Sequence, residues 1–275
     1  MTISDAESKL MTGAPEPRPP VPKIIGAAPS EASDERAAAA AVRRMFTSIA
    51  PRYDLLNHLL SFNVDRMWWR RTARTFAPAL ATSDAAVLDL CCGTGDMAFA
   101  LWEQAQRTRA FSQRGPRKPA VFGVDFSHAM LVRARGKSGP RNLRWIEADA
   151  LHLPFEDGRF RLVTSAFGFR NLANYDAGLA EIYRVLAPDG EAGILDFGEP
   201  KGWIGKLYRV YFRRVLPGIG TLISGVRGPY AYLPQSVRRF PAPEEMLQRM
   251  RAAGFRDVSW TPYTFGIAGL YRGSK

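Results

Sequence analysis

Apolar residues change their spacing several times along this chain, and each change marks a different kind of element. Behind the alanine run Ala37–Ala41, the residues Val42, Met45, Phe46 and Ile49 recur at helical spacing. Pro51 interrupts them. Tyr53, Leu55, Leu56, Leu59 and Leu60 then resume, and the stretch from Val64 to Phe76 sets Met67, Trp68 and Trp69 among Arg66, Arg70, Arg71 and Arg74. This spacing predicts helices from Asp34 to Phe76, ahead of any strand. Further on, short apolar runs predict strands near 86–91, 120–125, 143–148, 160–166 and 191–197, with helices near 96–108, 127–136 and 174–187. Repeated strand–helix units argue an α/β domain with a parallel sheet covered on both faces. After Gly254 two further strands, Val258–Tyr263 and Phe265–Leu270, are separated by almost nothing and read as a hairpin.

The candidate chemistry sits at the ends of those strands. Val87-Leu88-Asp89-Leu90-Cys91-Cys92 is a buried-strand run that turns through Gly93-Thr94-Gly95 into Asp96-Met97-Ala98. A strand that stops at glycines and feeds a helix lets backbone approach a ligand and aims free N–H groups at it. Gly93, Gly95 and Ala98 satisfy a loose dinucleotide pattern, so an NAD-dependent oxidoreductase stays open on this turn alone. The second strand ends in Asp125, whose carboxylate can accept both ribose hydroxyls in an NAD enzyme or in one using S-adenosylmethionine. A third ends near Asp149-Ala150, an acid-plus-small pair that suits the amine and ring edge of adenine.

Taken together these pieces resemble the class I S-adenosylmethionine methyltransferases and, within them, the ubiquinone/menaquinone biosynthesis C-methyltransferase family. The resemblance runs from about Arg43 to Lys275. It is carried by Phe46-Thr47-Ser48-Ile49-Ala50-Pro51-Arg52-Tyr53-Asp54, Leu59-Leu60-Ser61-Phe62, the turn from Leu88 to Asp96, Phe167-Gly168-Phe169-Arg170-Asn171, Tyr232-Leu233-Pro234-Gln235-Ser236, and Gly266-Ile267-Ala268 before Tyr271-Arg272-Gly273. It implies a doubly wound, Rossmann-like sheet of seven strands, mostly parallel, with an antiparallel C-terminal hairpin edge and an N-terminal helical cap over residues 34–80. The basic connection from Arg107 to Pro119 is longer than the family usually shows, and it is expected at the surface away from the site.

The implied reaction is C-methylation of a polyprenylated quinol. The turn Cys91-Cys92-Gly93-Thr94 resembles the menaquinone branch, so demethylmenaquinol is the expected acceptor and the 2-methoxy-6-polyprenyl-1,4-benzoquinol of the ubiquinone branch the runner-up, or both. A phenol ionises near pH ~10, so methyl transfer to the adjacent carbon needs the oxyanion stabilised or a base supplied. Arg170, at the end of the fourth strand, is the candidate for oxyanion stabilisation; Asn171 and Tyr53 would orient the ring, and His58 is a weaker candidate base. For the cofactor, Gly93 and Thr94 would approach the methionine or ribose, Asp125 the ribose, and Asp149 with Ala150 the adenine. Ser165 matches a further family contact, while Asp89 and Asp96 could help at the turn. Trp68 and Trp69 are read as packing on the sheet, and Cys91 and Cys92 as small packing residues.

Charge adds a second theme. The net charge is +12 on 275 residues, and no acidic residue occurs from Lys201 to Pro243. Within that span Trp203, Ile204, Leu207, Tyr208, Tyr211, Phe212 and Val215 recur at helical spacing, with Lys206, Arg209 and Arg213 on the opposite face. Residues 201–240 are therefore expected to be a basic amphipathic insertion that binds an anionic membrane surface. RNA is the rival use of this charge, but no RNA-binding signature accompanies it. The two adjacent cysteines have no partner elsewhere and no metal spacing, which suits a reducing compartment and no metal. No apolar run approaches the ~20 residues of a membrane span. The expectation is a cytoplasmic protein held peripherally at the inner face of the membrane, with homodimerisation left open. Residues 1–33, rich in proline and alanine, read as a disordered tail ahead of a single domain over 34–275.

Overall fold

The computed structural model describes residues 24–29, 32–54, 61, 63–81, 86–110, 120–139, 141–200, 202, 205 and 229–275. The predicted strands assemble into one seven-stranded sheet. The strands are β1 (Ala86–Leu90), β2 (Ala120–Asp125), β3 (Leu143–Glu147), β4 (Phe160–Ala166), β5 (Leu186–Phe197), β6 (Arg256–Tyr263) and β7 (Ala268–Ser274), in the order β3-β2-β1-β4-β5-β7-β6. The pairs from β3 through β5 are parallel, whereas β7 runs antiparallel to both β5 and β6. Helices α1 (Glu35–Ile49), α2 (Val64–Thr75) and α3 (Ala77–Leu80) precede the sheet. Then follow α4 (Asp96–Ala110), α5 (His128–Ser138), α6 (Tyr175–Val185), α7 (Pro229–Arg239) and α8 (Pro243–Ala252).

Alternation along the strands divides the core into two layers. Leu88, Val163 and Ile194 face α6 and α8, where they bury Leu179, Ile182, Met246 and Met250. Val87, Leu162 and Leu195 face the opposite way, onto Trp68, Leu80 and Leu101 from α2, α3 and α4 and onto Phe76 between α2 and α3. Because one residue separates the two sets, a register slip of one position would invert both layers.

Element ends differ from the sequence reading in two instructive places. The sequence reading puts a helix near 174–187 and a strand near 191–197. Instead β5 begins at Leu186 and carries a bulge opposite Phe160 and Leu162, with Asp189 at φ 59°, and α6 accordingly stops at Val185. In the hairpin, Thr264, Phe265 and Gly266 take φ values of 45°, 58° and 87°. They form the turn itself, so the second strand starts at Ala268 rather than Phe265.

Of the stretch read as a tail, Ile24–Pro29 are described and engaged with the domain. The N–H groups of Gly26 and Ala27 donate to the carbonyls of Ala173 and Leu172 at 2.9 and 2.7 Å, and Arg239 donates to the carbonyls of Ile24 and Gly26. Residues 1–23 lie outside the described residues, as do 111–119 of the long basic connection and most of 201–228.

Candidate active site

The chain winds leftward from β1 to β2 and β3, then jumps back to β4. Crossovers leaving β1 and β4 in opposite directions open a crevice at the strand C-termini. A cavity of about 390 Å³ lies there. Its wall includes Gly93, Thr94, Asp125, Asp149, Ala150, Tyr53, Arg170 and Asn171, so of the sequence-nominated residues that the structure describes all but one converge on it. The exception is Ser165, which does not line the cavity. It is buried one layer back, its Oγ 3.4 Å from where a Cβ on Gly168 would stand, and Oγ has no partner among the described residues.

The turn after β1 depends on absent side chains. Gly95 has φ 91°, and a Cβ there would meet the Trp145 ring at 2.5 Å; a Cβ on Gly168 would strike Cys91 Cβ at 2.4 Å. The first approach packs the turn against Trp145 of β3, and the second brings the ends of β1 and β4 together. Cys91 itself sits at φ 53°. Burial raises the pKa of both thiols, so Cys91 and Cys92 remain neutral packing groups.

Acidic side chains line this turn in different states. Asp89 is fully buried; its Oδ1 accepts from Thr164 Oγ1 at 3.0 Å, while Oδ2 has no partner among the described residues. Burial pushes its carboxyl up to about 8. Asp125 accepts the N–H groups of Gly93 and Ser127, both at 2.9 Å, yet burial still raises it to about 6. Asp149 is exposed, takes the N–H of Leu151 at 2.9 Å, and borders buried Ala150.

Arg170, also in the lining, lies in a short 3₁₀ turn after β4 and is only 5% exposed. Its Nη1 donates to Asp196 Oδ1 at 2.9 Å and also to the Phe167 carbonyl, and its own N–H donates to Asp196 Oδ2. Nε has no acceptor among the described residues. Arg170 is thus ion-paired through its guanidinium and is one of the residues lining the cavity. Asn171 Oδ1 accepts from the Tyr232 hydroxyl at 3.2 Å, and burial holds that phenol up at about 12. Trp68 and Trp69 pack in the core as expected and also line the cavity. Trp68 Nε1 donates to Thr264 Oγ1 at 2.8 Å.

Two groups escaped the sequence reading. Asp196 ends β5 with the same strand-then-acid signal that nominated Asp125, so the pattern was there to be used. Lys137, on α5, carried no signal. Its Nζ reaches Asp54 at 3.0 Å, Thr94 at 3.1 Å and Asp96 at 2.9 Å, while Thr94 donates to Asp54. This cluster ties the segment after α1 to the glycine turn. His58, the weaker base candidate, lies outside the described residues.

Comparison with known proteins agrees with this geometry. Residues 31–275 match the ubiE/COQ5 methyltransferase family. A demethylmenaquinone methyltransferase of Deinococcus radiodurans is 47% identical over 263 residues, spanning 94% of this chain and 98% of the relative. One from Thermus thermophilus is 50% identical over 234 residues, 84% of this chain and all of the relative. Among solved structures, a SAM-dependent methyltransferase of Thermotoga maritima shares the fold at a TM-score of 0.57 and 17% identity, covering 85% of this chain and 99% of its own.

Proposed function

The chain belongs to the ubiE/COQ5 methyltransferase family, and from that membership we propose that it transfers the methyl group of S-adenosylmethionine to a ring carbon of demethylmenaquinol, giving menaquinol. Two relatives covering most of the chain carry the name demethylmenaquinone methyltransferase. The observation that carries the reading is a crevice lined by both buried Asp89 and buried Arg170.

The residues present fit that cofactor. Asp89 Oδ2 is a buried oxygen in the cavity wall with no partner among the described residues, suited to a cationic ammonium. Around Gly93, at φ 54°, the one neighbour a Cβ would meet is Tyr53, at 3.8 Å, which leaves backbone free to approach a ligand. Gly93 and Thr94 would hold the methionine or ribose, Asp125 the ribose hydroxyls, and Asp149 with Ala150 the adenine. When bound, the cofactor supplies an electrophilic sulfonium methyl. Arg170, its charge balanced by Asp196, stabilises the phenolate that makes the acceptor carbon nucleophilic. Asn171, held by Tyr232, and Tyr53 orient the ring. Tyr232 keeps its proton at neutral pH and serves as a donor.

The polyprenyl tail places the acceptor in a bilayer. Among the described residues no helix is long and apolar enough to cross a membrane, so we assign peripheral association, through the basic amphipathic stretch within 201–240, at the inner face of the cytoplasmic membrane. The test is transfer of labelled methyl from S-adenosylmethionine to demethylmenaquinol and to 2-methoxy-6-polyprenyl-1,4-benzoquinol in parallel. Label is expected in menaquinol; label only in the benzoquinol product overturns the acceptor, and label in neither overturns the reaction.

A further inference from the structure

Large apolar side chains left in water are informative when they gather around a site. Phe265 is 76% exposed and Met67 53%, and they stand on two elements that touch. Trp68 of α2 donates to Thr264 in the hairpin turn at 2.8 Å, the Thr72 and Tyr263 hydroxyls lie 3.3 Å apart, and the Arg71 guanidinium sits 4.1 Å from the centre of the Tyr263 ring. Trp68 and Thr264 also belong to the cavity wall. The turn and the helix therefore form one rim of the acceptor site.

The charge on this rim has one sign. Arg66, Met67, Arg70, Arg71 and Arg74 are exposed and cover roughly 140° of the helix at about 100° per residue, while Trp68, Trp69, Thr72 and Ala73 are buried on the other side. The acid of α2, Asp65, is buried with that second set. Arg66, Arg70 and Arg74 make no ion pair among the described residues, and the hairpin from Trp260 to Tyr271 contains no carboxylate. Phe265 is held at φ 58°, a region that asparagine or glycine occupies far more readily than a bulky residue. The turn thus holds a strained backbone with an aromatic ring in solvent. Pro200, where the chain enters its acid-free basic segment, lies beside this turn, its Cα 3.8 Å from the Cβ position of Gly266.

We propose that this rim is a docking face for an anionic phospholipid bilayer, with Phe265 and Met67 entering the acyl boundary and Arg66, Arg70 and Arg74 meeting phosphate head groups. Docking here sets a wall of the acceptor cavity against the lipid that holds the acceptor's tail. The proposal rests on the quinol reading for the identity of that acceptor; the lipid contact is measured without it.

The experiment uses the full chain, sedimented with vesicles of phosphatidylglycerol and phosphatidylcholine at low salt, beside Met67→Gln/Phe265→Asn and Arg66→Gln/Arg70→Gln/Arg74→Gln. Each basic side chain near an anionic surface is worth roughly fivefold in partitioning, so the triple variant should bind on the order of a hundredfold more weakly, and the apolar pair at least tenfold. Neither variant should lower the melting temperature, and relief of strain at residue 265 should raise it slightly in the apolar pair; both should keep turnover of a quinol with a short, water-soluble side chain, and lose turnover of the same head group with a long tail embedded in the vesicles. A wild-type chain that leaves these vesicles unbound, as a protein-docking face would, overturns the proposal. So does a pair of variants that binds as tightly as wild type. Failure of the soluble quinol to react in every form would strike the proposed reaction and leave the lipid contact standing.

Discussion

Asp89 and Arg170 are both buried in the cavity wall, yet the fold treats their charges oppositely. Arg170 has Asp196 against it at 2.9 Å, whereas burial raises the Asp89 carboxyl to about 8. A folded pKa above the ordinary carboxylate value means that the native state binds the proton more tightly than the unfolded chain. The stability contributed by neutral Asp89 is therefore fully present below about pH 4. It is lost as pH rises from about 4 to about 8, at roughly 1.4 kcal/mol for each pH unit crossed. Asp89→Asn should flatten that slope and raise the melting temperature at pH 7.5 by several degrees, while weakening S-adenosylmethionine at least tenfold by titration calorimetry. For Arg170, Arg170→Ala should lower kcat on the order of 10² to 10³-fold and also strand a buried carboxylate, costing about 3–5 kcal/mol. Arg170→Lys keeps a cation beside Asp196 and separates the two effects. Thermal stability should largely return while kcat stays low; recovery of both would make the arginine a structural partner only.

At the scale of elements, the segment after α1 is pinned to the glycine turn by side-chain contacts. Lys137 reaches from α5 to Asp54 and Asp96, all three partly exposed at 32%, 28% and 21%. Pairs this solvated contribute little to global stability, so Lys137→Met should shift the melting temperature slightly. It should still raise the cofactor KM about tenfold and speed hydrogen exchange over residues 46–54, because, of the Lys137 and Thr94 contacts to Asp54, only the Thr94 hydrogen bond remains. The junction of β1 and β4 is stiffer. Gly168→Ala places a Cβ 2.4 Å from Cys91 Cβ and 3.0 Å from its carbonyl oxygen. Backbone at that range cannot yield cheaply, and overpacking of this kind costs about 1–3 kcal/mol. Chemical denaturation should show that loss together with reduced turnover.

For the molecule as a whole, cofactor binding should read out as stability. A ligand that binds only the folded chain stabilises it by about 2.7 kcal/mol at a hundred times its dissociation constant. S-adenosylmethionine should therefore raise the melting temperature by several degrees and NAD should leave it unchanged; the reverse would return the chain to the dinucleotide reading that the glycine pattern alone allowed. The sheet topology explains why one nucleotide site forms and where. Only between β1 and β4 do the crossovers diverge, so the strand-end acids of β1 and β2 and the arginine after β4 face a common space.

The alternation of strands and helices, the hairpin edge and the glycine turn with its neighbouring acids were legible in the sequence, because periodicity and turn chemistry are local and travel with the chain. Asp125, Asp149 and Arg170 could be nominated since each ends or follows a strand, and strand ends are where such sheets bind ligands. What the sequence could not convey is pairing across distance. Asp196 lies 26 residues from Arg170, Lys137 lies 83 from Asp54, and Thr264 lies 196 from Trp68. Each pair meets only because the crossovers lay particular strands and helices side by side. Burial then decides which charges are balanced, as at Arg170, and which are left poised for a ligand, as at Asp89.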